Sequence, residues 1–388
     1  MRIRKFPKGQ NTKKASYRCA LLIAAALFLI SGCAAQGAKR VPADRFDYNA
    51  AIAQSAREQM LLNIVRSRYL EVPVFLTVSS VLTQYEYDRS VGLGGILEFG
   101  SGTTDRAIGD TNLRFSERPT ITYLPVEGQE FSAHLLSDIP SEIIFAAAQA
   151  GWSVDVFMRI AIQRLGAAEN MSFGEIPASG YSDSKTQVES DFKKLKRFGR
   201  MIELIFILSD SEVIEVQLVE EDGKKERYLM IAEEVAEDLR PLLGELRQLI
   251  GLSNRNRFRI TDRVTNIKED EISIQTRSVM AMMEFMARGV EVPLEHLEDG
   301  WVIDYGLQNS EGEMAKELIP FTMHSSKNRP ENVFAAVRFR DHWYYIDHAD
   351  ITSKRALSLI IVLFRLQAPT PSGVAPILAP QRVDKHEV

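Results

Sequence analysis

Val333-Phe334-Ala335-Ala336-Val337-Arg338-Phe339-Arg340-Asp341-His342-Trp343-Tyr344-Tyr345-Ile346-Asp347 is the stretch from which the fold class is read. Val333 to Arg340 alternates apolar and polar residues, a turn falls near Asp341-His342, and Trp343 to Asp347 forms a return strand. Residues two apart share one face of a strand, so alternation on both sides of a tight turn predicts an antiparallel hairpin. Asp350 or Thr352 then caps a helix from about Ser353 to Leu366. Its run Leu357 to Phe364 is apolar on nearly every side except Ser358. Such a helix is buried by a core or a partner, and it is too short to span a membrane. Hairpin plus buried helix is the repeating pattern of an α+β fold, with antiparallel hairpins packed against amphipathic helices in two subdomains.

Moving towards the N-terminus, Ser278 to Arg288 predicts a helix carrying Met280, Met282, Met283 and Met286. Methionine fills irregular core space, or forms a pliable docking surface. Arg257 to Ile260 and Ile272 to Thr276 read as strands. A helix is expected from about Ala232 to Ile250, disturbed at Pro241 and ended by Gly251. Glu212 to Val219 and Arg227 to Ile231 flank Asp222-Gly223, a good hairpin signal. Ser184 to Arg200 is helical, and Met201 to Leu208 either continues that helix or forms a buried strand. Residues 166–183 are rich in Gly, Pro, Ser and Asn and mark the boundary between an N-terminal region, 46–168, and a C-terminal region, 184–367. Two short helices meeting at Gly151 are expected over Ser141 to Leu165.

Residues 74–124 form a hairpin of a different character. Val91, Leu93, Leu97 and Phe99 share one parity, and Gly92, Gly94, Glu98 and Gly100 share the other. Strands of outer-membrane barrels alternate in this way, as does a soluble hairpin with one face on a core. One chain offers too few strands to close a barrel, so a barrel needs several subunits. The Gly-rich run lacks the Lys-Ser/Thr of a phosphate loop. A further helix is expected from about Asp47 to Tyr69, ended by Pro73.

Residues 1–18 carry Arg2, Arg4, Lys5, Lys8, Lys13, Lys14 and Arg18 and no acid. An apolar run from Ala20 to Ile30 follows, then Ser31-Gly32-Cys33. A charged segment, a short apolar segment and small residues are the parts of a secretory signal, and the apolar segment is short of the roughly 20 residues that cross a bilayer. This block resembles a bacterial lipoprotein signal, over residues 1–34 alone. The resemblance implies cleavage between Gly32 and Cys33, acylation of the Cys33 thiol and amine, and, because Ala34 stands where an Asp retains such proteins in the inner membrane, an outer-membrane destination. Residues 33–45 then read as a tether and 368–388 as a Pro-rich, extended tail. The mature protein is expected to be tethered at the periplasmic face, since several buried acyl chains hold a protein where one does not.

Cleavage leaves 40 Lys+Arg against 52 Asp+Glu, a net charge of −12, which argues against nucleic acid as partner. With Cys19 removed and Cys33 acylated, no thiol remains for disulfide or thiol chemistry. No cofactor or metal motif is present: there is no His-Glu-x-x-His, no Gly-x-Ser-x-Gly and no EF-hand loop. His342 and His348 share a strand face but stand about 20 Å apart at 3.3 Å per residue, too far to chelate one ion. Asp347, His348 and Asp350 cluster at a strand-to-helix turn, where they read either as caps or as a polar catalytic site. The expected function is a non-catalytic envelope assembly or interaction module, with an envelope protein or a second copy as partner. The alternatives are a subunit that donates its hairpin to an oligomeric secretion pore, and an envelope hydrolase.

Overall fold

The computed structural model describes residues 36–94, 108–152, 154–171, 184–221, 223–304 and 318–367. Cys33, the rest of the segment expected to be a lipoprotein signal and the tail 368–388 lie outside the described residues. Contacts divide the chain after Ser55. Helix α1 (Gln36–Arg68) supplies the described residues up to that point and opens the second unit. It starts inside the expected tether, where Ala38, Lys39 and Arg40 are good helix formers.

In the second unit a long ribbon follows, β1 (Leu76–Gly94) and β2 (Ile108–Pro125), then helices α2 (Gln129–Leu136), α3 (Ser141–Gln149) and α4 (Val154–Ala161). Strands β3 (Ile162–Leu165) and β4 (Ala168–Glu169) precede α5 (Ser184–Asp210), β5 (Ile214–Glu221) and β6 (Lys224–Ile231). Next come α6 (Arg240–Ile250), β7 (Arg257–Thr261), β8 (Glu271–Thr276), α7 (Val279–Ala287) and α8 (Leu294–Glu298). The last elements are β9 (His324–Ser326), β10 (Val333–Phe339), β11 (His342–Asp347) and α9 (Ile351–Gln367). This is an α+β fold, as the hairpin-and-helix pattern predicts.

Among the described residues three sheets form: the two-stranded ribbon, a three-stranded sheet ordered β10-β11-β9, and a six-stranded sheet ordered β4-β3-β8-β7-β6-β5. The pairings are antiparallel except β7 with β8. The largest sheet crosses the boundary expected at 166–183, because β3 pairs with β8 on the far side of it. One sheet and one apolar core therefore join the two expected subdomains.

α7 lies at the centre of that core. Val279, Met282, Met283, Phe285 and Met286 are wholly buried, so those three methionines fill space rather than face a partner, while Met280 is partly buried against the same core. Burying each such side chain contributes roughly 1.5–3 kcal/mol. Ser278 caps it, its hydroxyl accepting from the Ala281 amide at 3.2 Å. α5 settles the ambiguous run 201–208 as helix, since Leu195, Phe198, Met201, Ile202, Leu204 and Leu208 are buried near helical spacing. Pro241 starts α6 rather than interrupting it; proline lacks the amide that the first turn leaves unpaired anyway.

The second helix past Gly151 stops at Ala161, four residues before its expected end. Arg277, fully buried, donates to the carbonyls of Arg159 (3.1 Å), Ile160 (2.8 Å) and Ile162 (3.2 Å) and also to that of Met171. The Asn170 side-chain amide reaches the Arg159 carbonyl at 2.9 Å and the Ile162 carbonyl at 2.8 Å. Carbonyls at a helix end need outside partners, and these two side chains supply them. The chain is then released to pair as β3.

Candidate functional site

A cluster of imidazole, phenol and carboxylate groups stands where the end of α1, helix α8 and the β10–β11 turn meet. Tyr69 is the first residue past α1, and Leu70 turns the chain with φ 58°. His296 sits in α8, which begins after Pro293. His342 opens β11 directly after Arg340 (φ 46°) and Asp341 (φ 64°). A two-residue hairpin turn with both φ values positive matches the strand twist, and a non-glycine residue held there costs on the order of 1 kcal/mol. Arg340 offsets that cost: its guanidinium lies 5.3 Å from the Tyr69 ring and 5.2 Å from the Trp301 ring. It also pairs with Glu71 at 2.8 Å. The turn thereby fixes where His342 starts.

The polar atoms form a chain. Tyr344 Oη and Tyr69 Oη are 2.5 Å apart, and Tyr69 Oη is 2.6 Å from His296 Nδ1. The His296 ring stacks on Trp301 at 4.6 Å and meets the edge of His342 at 5.1 Å. His342 Nε2 lies 3.4 Å from Glu295 Oε1, while His342 Nδ1 faces the Arg340 carbonyl at 3.4 Å. His296 and His342 are buried, whereas about half of the Glu295 side chain is exposed. Burial, reinforced by His342, pulls His296 below its ordinary pKa and favours the neutral imidazole. Burial raises both phenols, so Tyr69 and Tyr344 stay protonated at neutral pH. One ligand atom each from Glu295, His296 and His342 lie within 4.8 Å of one another, a spacing able to hold a metal ion.

The residues singled out from the sequence take other positions. Asp350 caps α9, accepting from the Ser353 amide at 2.9 Å and the Ser353 hydroxyl at 2.5 Å. His348 meets the Phe334 ring edge-on at 6.4 Å, and its carbonyl accepts from Lys354. Asp347 lies 3.7 Å from His324 Nε2, and His324 Nδ1 lies 3.1 Å from Glu291. His342 finds its imidazole neighbour in His296 rather than in His348. Tyr69, Glu295 and His296 carry no motif signal, because 227 residues separate Tyr69 from His296 and only the tertiary fold brings them together.

A polar cavity of about 640 Å³ opens beside α3 and β6–β7, lined by Glu142, Arg227, Arg259 and Arg263 among others. Its arginines already face acids: Arg227 with Glu142 at 3.6 Å, Arg259 with Glu226 at 3.5 Å, and both Arg259 and Arg263 with Glu271. Burial is the largest single influence and would raise the Glu271 carboxyl, but the hydrogen bonds from Arg259 and the Lys268 amide, with the charges of Arg259 and Arg263, together outweigh it and hold the group ionised. The cavity is internally neutralised.

The ribbon is the other outstanding feature. β1 and β2 pair in continuous antiparallel register from Leu76–Pro125 to Gly94–Ile108, with a single irregularity between Val78 and Ser80. Among the described residues no third strand joins either of them. No described helix is long and apolar enough to cross a membrane.

No protein-family model, no curated protein and no solved structure matches this chain.

Proposed function

We propose that this chain is a lipid-anchored module at the periplasmic face of an outer membrane, tethered through Cys33, that assembles or holds another envelope component without catalysing a reaction. The observation that carries this reading is the ribbon. Its 19- and 18-residue strands span about 60 Å at 3.3 Å per residue. Among the described residues neither strand has a third strand on its outer side, and the Gln59 side chain covers that side only at Leu76, bonding its N–H and carbonyl. A lone two-stranded ribbon is marginal in water, and an open edge is a template for another strand. The ribbon is therefore read as the element that engages a partner.

A second reading has one specific observation in its favour. Strands of about 9–11 residues cross a bilayer in a tilted barrel, and β1 and β2 exceed that length. Copies of the chain could then close a ring, each donating a ribbon.

The test is site-specific photo-crosslinking in cells, with the reactive side chain placed at Tyr85 or Tyr87 on β1. An adduct of constant mass with a different envelope protein is the expected result. An adduct with a second copy would replace the first reading by the second. Absence of any adduct at both positions would sink both.

A further inference from the structure

We propose that Glu295, His296 and His342 form a binding site for a divalent transition-metal ion of the zinc class. This inference is independent of the ribbon.

Three features of the geometry support it. The first is spacing: ligand atoms about 2.0–2.1 Å from a tetrahedral ion stand roughly 3.4 Å apart, and His342 Nε2 and Glu295 Oε1 are 3.4 Å apart. All three ligand atoms already lie within 4.8 Å of one another, so small side-chain movements complete the site.

The second is the treatment of the other nitrogens. Metal-bound histidines donate their remaining N–H to a carbonyl, carboxylate or hydroxyl, which fixes the tautomer. His296 Nδ1 has the Tyr69 hydroxyl at 2.6 Å, and His342 Nδ1 has the Arg340 carbonyl at 3.4 Å. With Nδ1–H donating in each ring, each Nε2 presents a lone pair. Tyr69 in turn donates onward to Tyr344 at 2.5 Å, which gives the chain one consistent direction. A carboxylate and two imidazoles, with one ligand atom each within 4.8 Å of one another, are placed to share a cation.

The third is donor class and access. Two imidazoles and one carboxylate suit zinc and its neighbours better than magnesium or calcium. Three protein ligands leave a fourth position, and the half-exposed Glu295 keeps that side open to solvent. Two cations stand nearby. Arg340 is committed to Glu71 and to the aromatic faces, whereas Lys327, 3.4 Å from Glu295, is mostly exposed and free to swing away.

The experiment is titration of the full-length protein, stripped with a chelator, with Zn²⁺ by calorimetry and with Co²⁺ by visible absorption. One ion per chain is expected, with the intense ligand-field bands of four-coordinate Co²⁺. Glu295→Gln alters a half-exposed side chain and leaves the core intact; it is expected to weaken binding at least tenfold. Tyr69→Phe should weaken it about 10–100-fold at unchanged stoichiometry, the usual cost of losing a ligand's outer partner. Native-like affinity in Glu295→Gln, or no saturable uptake by the native protein at micromolar ion, would overturn the site. So would loss of binding in His324→Gln, which lies outside it.

Discussion

At the scale of single residues, His324 makes the protein's stability depend on pH in a calculable direction. Its Nδ1 lies 3.1 Å from Glu291 and its Nε2 lies 3.7 Å from Asp347. The Glu291 hydrogen bond is the largest influence and outweighs burial, so the folded pKa stands above its ordinary value of 6.5. The folded state therefore binds this proton more tightly than the unfolded chain does. Its contribution is fully present below about pH 6.5 and disappears as pH rises through the raised folded value. The side chain is about one-third exposed, so solvent screening limits the effect to on the order of 0.5 kcal/mol. His324→Gln should melt below the native protein at about pH 6, with the gap closing as the pH rises through the raised folded value. A gap that widened with rising pH would show that the charged pairing is not what His324 contributes.

Among the elements, the boundary between α4 and β3 is set from outside by Arg277. Its guanidinium lies 4.4 Å over the Phe285 ring while donating to the carbonyls that end α4. Burial, with Arg288 adding, lowers it to about 9, so it remains charged at neutral pH. Each buried carbonyl left without a donor costs about 1–3 kcal/mol. Asn170 still reaches the carbonyls of Arg159 and Ile162, so Arg277→Met should destabilise by about 2–4 kcal/mol in urea denaturation. A loss under about 1 kcal/mol would mean that α4 ends through its own sequence. Local pattern could not foresee this ending, because Ile162–Leu165 has no helix breaker and the agent lies over a hundred residues away. The hairpin of β10 and β11, by contrast, was legible, since alternation and turn are local. So was Asp350, which caps α9 as strand-to-helix aspartates do. The metal-like cluster was not: His342 stood out only beside His348, while Tyr69 and His296 acquire meaning from contacts made across the whole chain.

For the whole molecule, the anchor proposed at Cys33 and the ribbon together separate a tethered assembly module from a ring. A ring requires each copy to contribute both strands, and its edges would close only when neighbours pair. Such pairing in the membrane needs the acyl anchor to concentrate copies there, because a soluble chain would leave the same edges in water. The native mass of the acylated protein in mild detergent, beside a soluble version starting at Ala34, separates the two. A tethered module is expected to give a monomer or dimer in both preparations, and deleting residues 90–110 should leave that mass essentially unchanged. A large uniform particle formed by the acylated protein alone, and lost on deleting residues 90–110, would instead make the ribbon a wall element. The deletion removes the distal part of the ribbon but leaves the paired root from Leu76–Pro125 onward and the buried core untouched. The far-ultraviolet circular dichroism and melting temperature of the deleted protein should stay close to native, so a change in mass would report on association rather than on folding.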